Sequence, residues 1–176
     1  MPQYTDHLWS AGFLAQFHHS FLIRDPAKVL TSLQRSYQKA GGRESFTRNE
    51  IGVDAQRRLF DLLWEGDGAA PAVIDSDDLL EDPVNMVETY CTTIGTPFTP
   101  EALSWEPGDR GEVLWYDKDA SVWHEALKNS DGLKPQSRKP VELERLPAEA
   151  QELYYAFLPH YRHLHKYRLR PLDRNG

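Results

Sequence analysis

Residues 19–36 read HSFLIRDPAKVLTSLQRS, and the change of texture inside them decides the fold. Phe21, Leu22 and Ile23 form a short apolar run. Arg24-Asp25-Pro26 follows at once, and then a segment with apolar residues at helical spacing. An aspartate just before a proline is a helix-start signal. Its carboxylate accepts from first-turn N–H groups, and proline has no N–H to leave unsatisfied there. The stretch therefore predicts a strand over 18–24 and a helix over 26–40. Arg24 then stands where the strand ends, with Ser32 about two turns into the helix. Ligands of open α/β sheets bind at the carboxyl ends of strands. A guanidinium and a hydroxyl there suit an anion, because arginine offers a planar fork of donors to phosphate. The plain alternative is a strand-to-helix junction with an exposed arginine and a helix-interior serine.

Outward from this stretch, the same reasoning orders the chain. Val29, Leu30, Leu33 and Tyr37 mark the helix's buried face, and Gly41-Gly42 stops it. Thr47-Arg48-Asn49-Glu50 has capping-box spacing. The helix it starts, about 49–65, has Ile51, Ala55, Leu59, Leu62 and Leu63 as its inner stripe. Gly66-Asp67-Gly68 breaks that helix, and residues 71–75 (PAVID) read as a second buried strand. Apolar runs rather than alternation point to a parallel pair. Asp82-Pro83 repeats the aspartate-proline signature and opens a helix running to Gly95. Residues 1–17 are mixed, with Leu8, Trp9, Phe13, Leu14 and Phe17 at roughly helical spacing. Residues 96–140 are rich in proline and glycine, with Trp105, Trp115, Tyr116 and Trp123 among turns and a short helix near 119–129. The last helix begins near Leu146-Pro147, and Pro159 is expected to kink or restart it. The basic stretch Arg162 to Arg170 reads as a solvated face.

The chain has 176 residues, 40% of them apolar and 27% charged, which is the composition of one globular domain. Twenty Lys+Arg against 27 Asp+Glu give a net charge of −7. That balance disfavours a broad nucleic-acid or acidic-membrane surface while allowing a local basic pocket. The single Cys91 excludes an intrachain disulfide framework and fits a reducing compartment. No apolar run approaches the roughly 18–20 residues of a membrane span, and the N-terminal residues carry no signal-peptide pattern. The expected address is cytoplasmic, with no nucleic-acid and no membrane partner.

Arg24 with Ser32 eight residues later, and Asp25-Pro26 between them, resembles the 3′-phosphate-binding motif of sulfotransferases. Residues 73–95 (VIDSDDLLEDPVNMVETYCTTIG) are similar to that family's later strand, turn and helix ending in glycine. The resemblance covers about the first hundred residues. It implies an α/β, partial P-loop-like three-layer fold with a short parallel sheet flanked by helices and a helix-rich C-terminal half. In such a single domain over 1–176, residues 1–95 hold the 3′-phosphate motif, 96–140 the Trp/Pro/Gly-rich loops and 141–170 the C-terminal helix. It also implies PAPS (3′-phosphoadenosine 5′-phosphosulfate) as co-substrate, PAP as product, and sulfuryl transfer to a hydroxyl or amine of a small-molecule acceptor. Arg24 and Ser32 would hold the 3′-phosphate. Arg138-Lys139 is similar to the Arg-Lys-Gly stretch that completes that site, with Pro140 in place of the glycine. His7, the only histidine before the first strand, stands in for the family's general base, at a shorter spacing to Arg24 than the family's. The family's phosphate-cradling loop has no counterpart here, since no Gly-rich Lys-Ser/Thr sequence occurs. The chain therefore reads as the C-terminal part of such a fold, truncated and weak or inactive unless the rest is supplied elsewhere.

Two rival readings stand beside this one. The first is a non-catalytic module that binds an anion or a partner; an exposed sheet edge would favour a homodimer or a complementing chain. The second is a P-loop-type phosphotransferase, motivated by Asp75 at the end of an apolar strand, where such enzymes hold Mg²⁺. For Asp75-Ser76-Asp77-Asp78 the preferred reading is capping and turn carboxylates. His160 and His163 lie three apart without a third ligand, so no metal is expected. Trp105, Trp115 and Trp123 either line an apolar acceptor pocket or pin irregular loops to a core.

Overall fold

The structure, a computed structural model, describes residues 9–39, 41, 47–108, 121–136 and 141–171. Its elements run α1 (Ala11–Leu14), β1 (Ser20–Ile23), α2 (Pro26–Lys39), α3 (Arg48–Ile51), α4 (Val53–Asp67), β2 (Ala72–Asp75), α5 (Ser76–Glu81), α6 (Pro83–Ile94), α7 (Ser121–Lys128) and α8 (Ala148–His165). This is an α/β fold around a two-stranded parallel sheet, in register Ser20 with Ala72 through Ile23 with Asp75.

Alternation along the strands sends Phe21, Ile23, Val73 and Asp75 to one face. There Phe21, Ile23 and Val73 join Phe60 and Leu63 of α4 and Leu164 of α8 in the main core. The opposite face meets α6, where the Ser20 and Tyr90 hydroxyls lie 3.0 Å apart. Helices on both faces of the sheet make the three layers. After α8 the chain returns to the sheet: Arg168 bridges Val73 in parallel, and Leu169 N–H donates to the Val73 carbonyl at 2.8 Å. A second cluster of Leu30, Leu146 and Ala150, flanked by Leu33, Tyr37 and Tyr154, seats α2 on α8.

The start signals act as expected. Asp25 Oδ1 accepts from the Ala27 N–H at 2.8 Å, and Thr47 and Glu50 form the capping box. Gly95 closes α6 in the left-handed region that glycine adopts without a Cβ clash. Four expectations are corrected. The helix expected over 49–65 is two helices, because Gly52 turns left-handed between them. A short α5 occupies the turn expected after the second strand, capped by Asp75. Pro159 does not restart α8, which runs through it as one helix with the proline on the exposed side. Arg168, expected on a solvated face, is 12% exposed and donates from Nε to the equally buried Asp78 at 2.8 Å.

In the loop region Trp105 pins a turn. Its indole N–H donates to Ser130 Oγ at 3.2 Å, beside a bridge between Ser104 and Gly132. A Cβ at Gly132 would come 2.5 Å from the Leu103 carbonyl oxygen, so this close approach requires glycine. Trp115, Tyr116 and the side chain of Trp123 lie outside the described residues.

Candidate functional site

The sequence of α2 divides the helix into two faces. Ala27 and Leu30 are buried, while Lys28, Thr31, Ser32, Arg35 and Gln38 recur at helical spacing on the other side. That polar side forms one wall of a cleft of about 550 Å³. Arg24, at the end of β1, reaches the same cleft. Asp77 and Leu80 of α5, together with Gln136, Glu142 and Arg145, form the facing wall. The structure thus brings Arg24 and Ser32 together, as the eight-residue spacing predicts: the strand ends at the sheet's carboxyl edge, and two helical turns carry the serine along the same side.

Four cations and two carboxylates line this cleft. Lys28 Nζ donates to Asp77 Oδ2 at 2.7 Å, and Arg145 pairs with Glu142. Arg24 and Arg35 have no ion pair or side-chain hydrogen bond among the described residues, and neither does the Ser32 hydroxyl. Two unpaired guanidiniums give the cleft an excess of positive charge in a chain of net charge −7. Sequence reasoning missed Lys28, Thr31 and Arg35. Their signal was available, because Lys28, Ser32 and Arg35 stand at i, i+4 and i+7 and share one helix face.

The remaining sequence candidates distribute as follows. His7, Arg138 and Lys139 lie outside the described residues. Gln136 and Val141, the described residues on either side of Arg138-Lys139, both line the cleft. Asp75 is 1% exposed and engaged through both oxygens. Oδ1 caps α5 by accepting from the Asp77 N–H at 2.8 Å, and Oδ2 accepts from the Tyr161 hydroxyl at 2.8 Å. That engagement is structural, as its preferred sequence reading expects. Burial, then the hydrogen bond to Asp75 and its charge, raise the Tyr161 phenol well above the ordinary tyrosine range.

His160 and His163 each face an aspartate of α4. His160 Nε2 lies 3.1 Å from Asp54 Oδ1, and His163 Nε2 lies 3.6 Å from Asp61 Oδ1. Burial and then the nearby Arg57 charge lower the His163 pKa. Asp61 opposes this weakly, since Arg57 already holds its carboxylate at 2.7 and 2.9 Å. Asp54 is likewise held by Arg48, which keeps its carboxyl below the usual range.

Comparison with known proteins places the chain in a family. A family model described as a sulfotransferase domain matches residues 6–167. The chain belongs to the sulfotransferase family. It is 30% identical over 128 residues to branched-chain-amino-acid aminotransferase-like protein 2 of Arabidopsis thaliana, covering 72% of this chain and 21% of that protein. It is 28% identical over 123 residues to the corresponding protein 1 of the same plant, covering 69% and 20%. With sulfotransferase ppzF of Metarhizium rileyi it shares 25% identity over 136 residues, covering 69% and 40%. The chain therefore spans about a fifth of the length of the plant proteins it matches and two fifths of the fungal one. No solved structure matches it.

Proposed function

We propose that the cleft over α2 binds the 3′-phosphate of PAPS and of its product PAP, in a sulfuryl transfer to a hydroxyl or amine of a small molecule. The observation that carries this reading is the meeting of Arg24 and Ser32, both unpaired among the described residues, in one positively charged cleft of a sulfotransferase-family chain. PAPS supplies the sulfuryl group. The chain's own residues bind and orient. The Arg24 guanidinium offers paired N–H donors to two phosphate oxygens, and the Ser32 hydroxyl donates a third hydrogen bond. Arg35 raises the local positive potential one turn further along.

Holding the nucleotide at this end positions it before the chemistry begins, and charge stabilisation and positioning are what group transfers of this kind need from a protein. Arg138 and Lys139, joined directly to the stretch between cleft-lining Gln136 and Val141, are proposed as further donors, and His7 as the base that takes the acceptor's proton. The reading places the protein in the cytoplasm; among the described residues no helix is long and apolar enough to cross a membrane. The edge of β1 away from β2 is the proposed pairing edge for a second copy or a complementing chain.

The test is a comparison of PAP with adenosine 5′-monophosphate, which lacks only the 3′-phosphate, by calorimetric titration. Charge-assisted hydrogen bonds contribute about 1.5–3 kcal/mol each, so PAP is expected to bind at least about tenfold more tightly. Equal affinities would contradict the assignment.

A further inference from the structure

Lys28 and Asp77 meet across the cleft. Both line it, the Lys28 ammonium donates to Asp77 Oδ2 at 2.7 Å, and their side chains are only 16% and 15% exposed. Lys28 lies one turn before Ser32 on α2, so their Cβ atoms are about 5–6 Å apart on the same face. Its four-carbon stem thus carries the ammonium within reach of any anion that the Ser32 hydroxyl holds. Asp77 sits in the first turn of α5 on the facing wall. It anchors the ammonium at the cleft while placing a negative charge where an anion is to bind.

We propose that Lys28 is a further anion-binding residue and that Asp77 limits its strength, competing with the ligand for the same ammonium. This deepens, and rests on, the reading of the cleft as a 3′-phosphate site. The chemistry selects the ligand class. A monoanion, such as a sulfate ester or a phosphodiester, meets an equal charge already in hydrogen-bond contact with Lys28. A phosphate monoester carries close to two negative charges at neutral pH and outweighs the carboxylate. Arg24 and Arg35 add to this preference, since the attraction to a fixed positive potential doubles when the ligand charge doubles. Lys28 therefore adds to the cleft's attraction for a terminal phosphate, and Asp77 tempers it.

Titration calorimetry with PAP on the wild-type chain and on Lys28→Met, Lys28→Arg and Asp77→Asn tests this. Lys28→Met is expected to weaken binding about tenfold and Lys28→Arg to keep it within about threefold. Asp77→Asn, which frees the ammonium and removes the repulsion, is expected to tighten binding about fivefold. Thermal melting of each variant reports folding. Should Lys28→Met not fold, Asp77→Asn still decides: tighter binding supports the competition of Asp77 with the ligand, and unchanged or weaker binding overturns it. A folded Lys28→Met with wild-type affinity overturns it as well, leaving the pair as a tie between α2 and α5. Wild-type chain that fails to bind PAP contradicts the phosphate-site reading itself. Wild-type binding that neither charge change alters contradicts only this proposal.

Discussion

Three donors surround the buried carboxylate of Asp75: the N–H groups of Asp77 and Asp78, and the Tyr161 hydroxyl. The two backbone bonds cap α5, so this one side chain sets the direction in which Asp77 enters the cleft. Tyr161 ties the same carboxylate to α8. Its removal in Tyr161→Phe leaves a buried charged acceptor one donor short, and an expected loss of about 1.5–3 kcal/mol of stability, read by urea unfolding. The pH dependence has a definite sign. Folding keeps the Tyr161 phenol protonated above its ordinary pKa of about 10, while the unfolded chain ionises there. The unfolded state then binds fewer protons, so stability is full below about pH 10 and falls as pH rises beyond it. Tyr161→Phe is expected to show a shallower alkaline decline than the wild type. An equal slope in both would remove Tyr161 as its source.

At the scale of elements, α2 carries the site because one end is fixed by a cap and one face by a core. Asp25 Oδ1 accepts from the Ala27 N–H, and Leu30 is fully buried against Leu146 and Ala150. Asp25→Ala is expected to lower stability by about 1 kcal/mol in the same unfolding assay; a change near zero would show that the cap is not what starts the helix. Local signals of this kind were legible in the sequence: the Asp-Pro starts at 25–26 and 82–83, the capping box at Thr47, and the glycine stop at Gly95. What was not legible depends on neighbours distant in sequence. In α4 the expected stripe included Leu62, which is 41% exposed, and omitted Phe60, which is fully buried. A helix of about 100° per residue allows either edge of a stripe to turn inward. Here the choice falls to Phe60 because it packs edge-on against Phe21 of β1 and contacts Trp64 and Tyr167. The break at Gly52 rests on a local signal, glycine's access to the left-handed region, that a helical stripe on both sides obscured.

At the scale of the whole molecule, a chain with net charge −7 lines one cleft with four cations and two carboxylates. Strand-end geometry and the spacing of Arg24 and Ser32 were enough to find that cleft from sequence. Its facing wall was not, because Asp77, Gln136, Glu142 and Arg145 come from segments up to 121 residues from Arg24 along the chain. The return of Arg168 and Leu169 to β2 was hidden for a related reason. A basic stretch reads as solvated until a buried partner, here Asp78, is known to face it. The central claim is that Arg24 anchors the phosphate of a 3′-phosphorylated nucleotide. Calorimetric titration of PAP into the wild-type chain and into Arg24→Ala tests it most directly. Loss of the charge-assisted contacts is expected to weaken binding by about 1.5–3 kcal/mol, roughly ten- to a hundredfold or more, with the fold intact by thermal melting. A folded Arg24→Ala chain that binds PAP as tightly as the wild type would contradict the account.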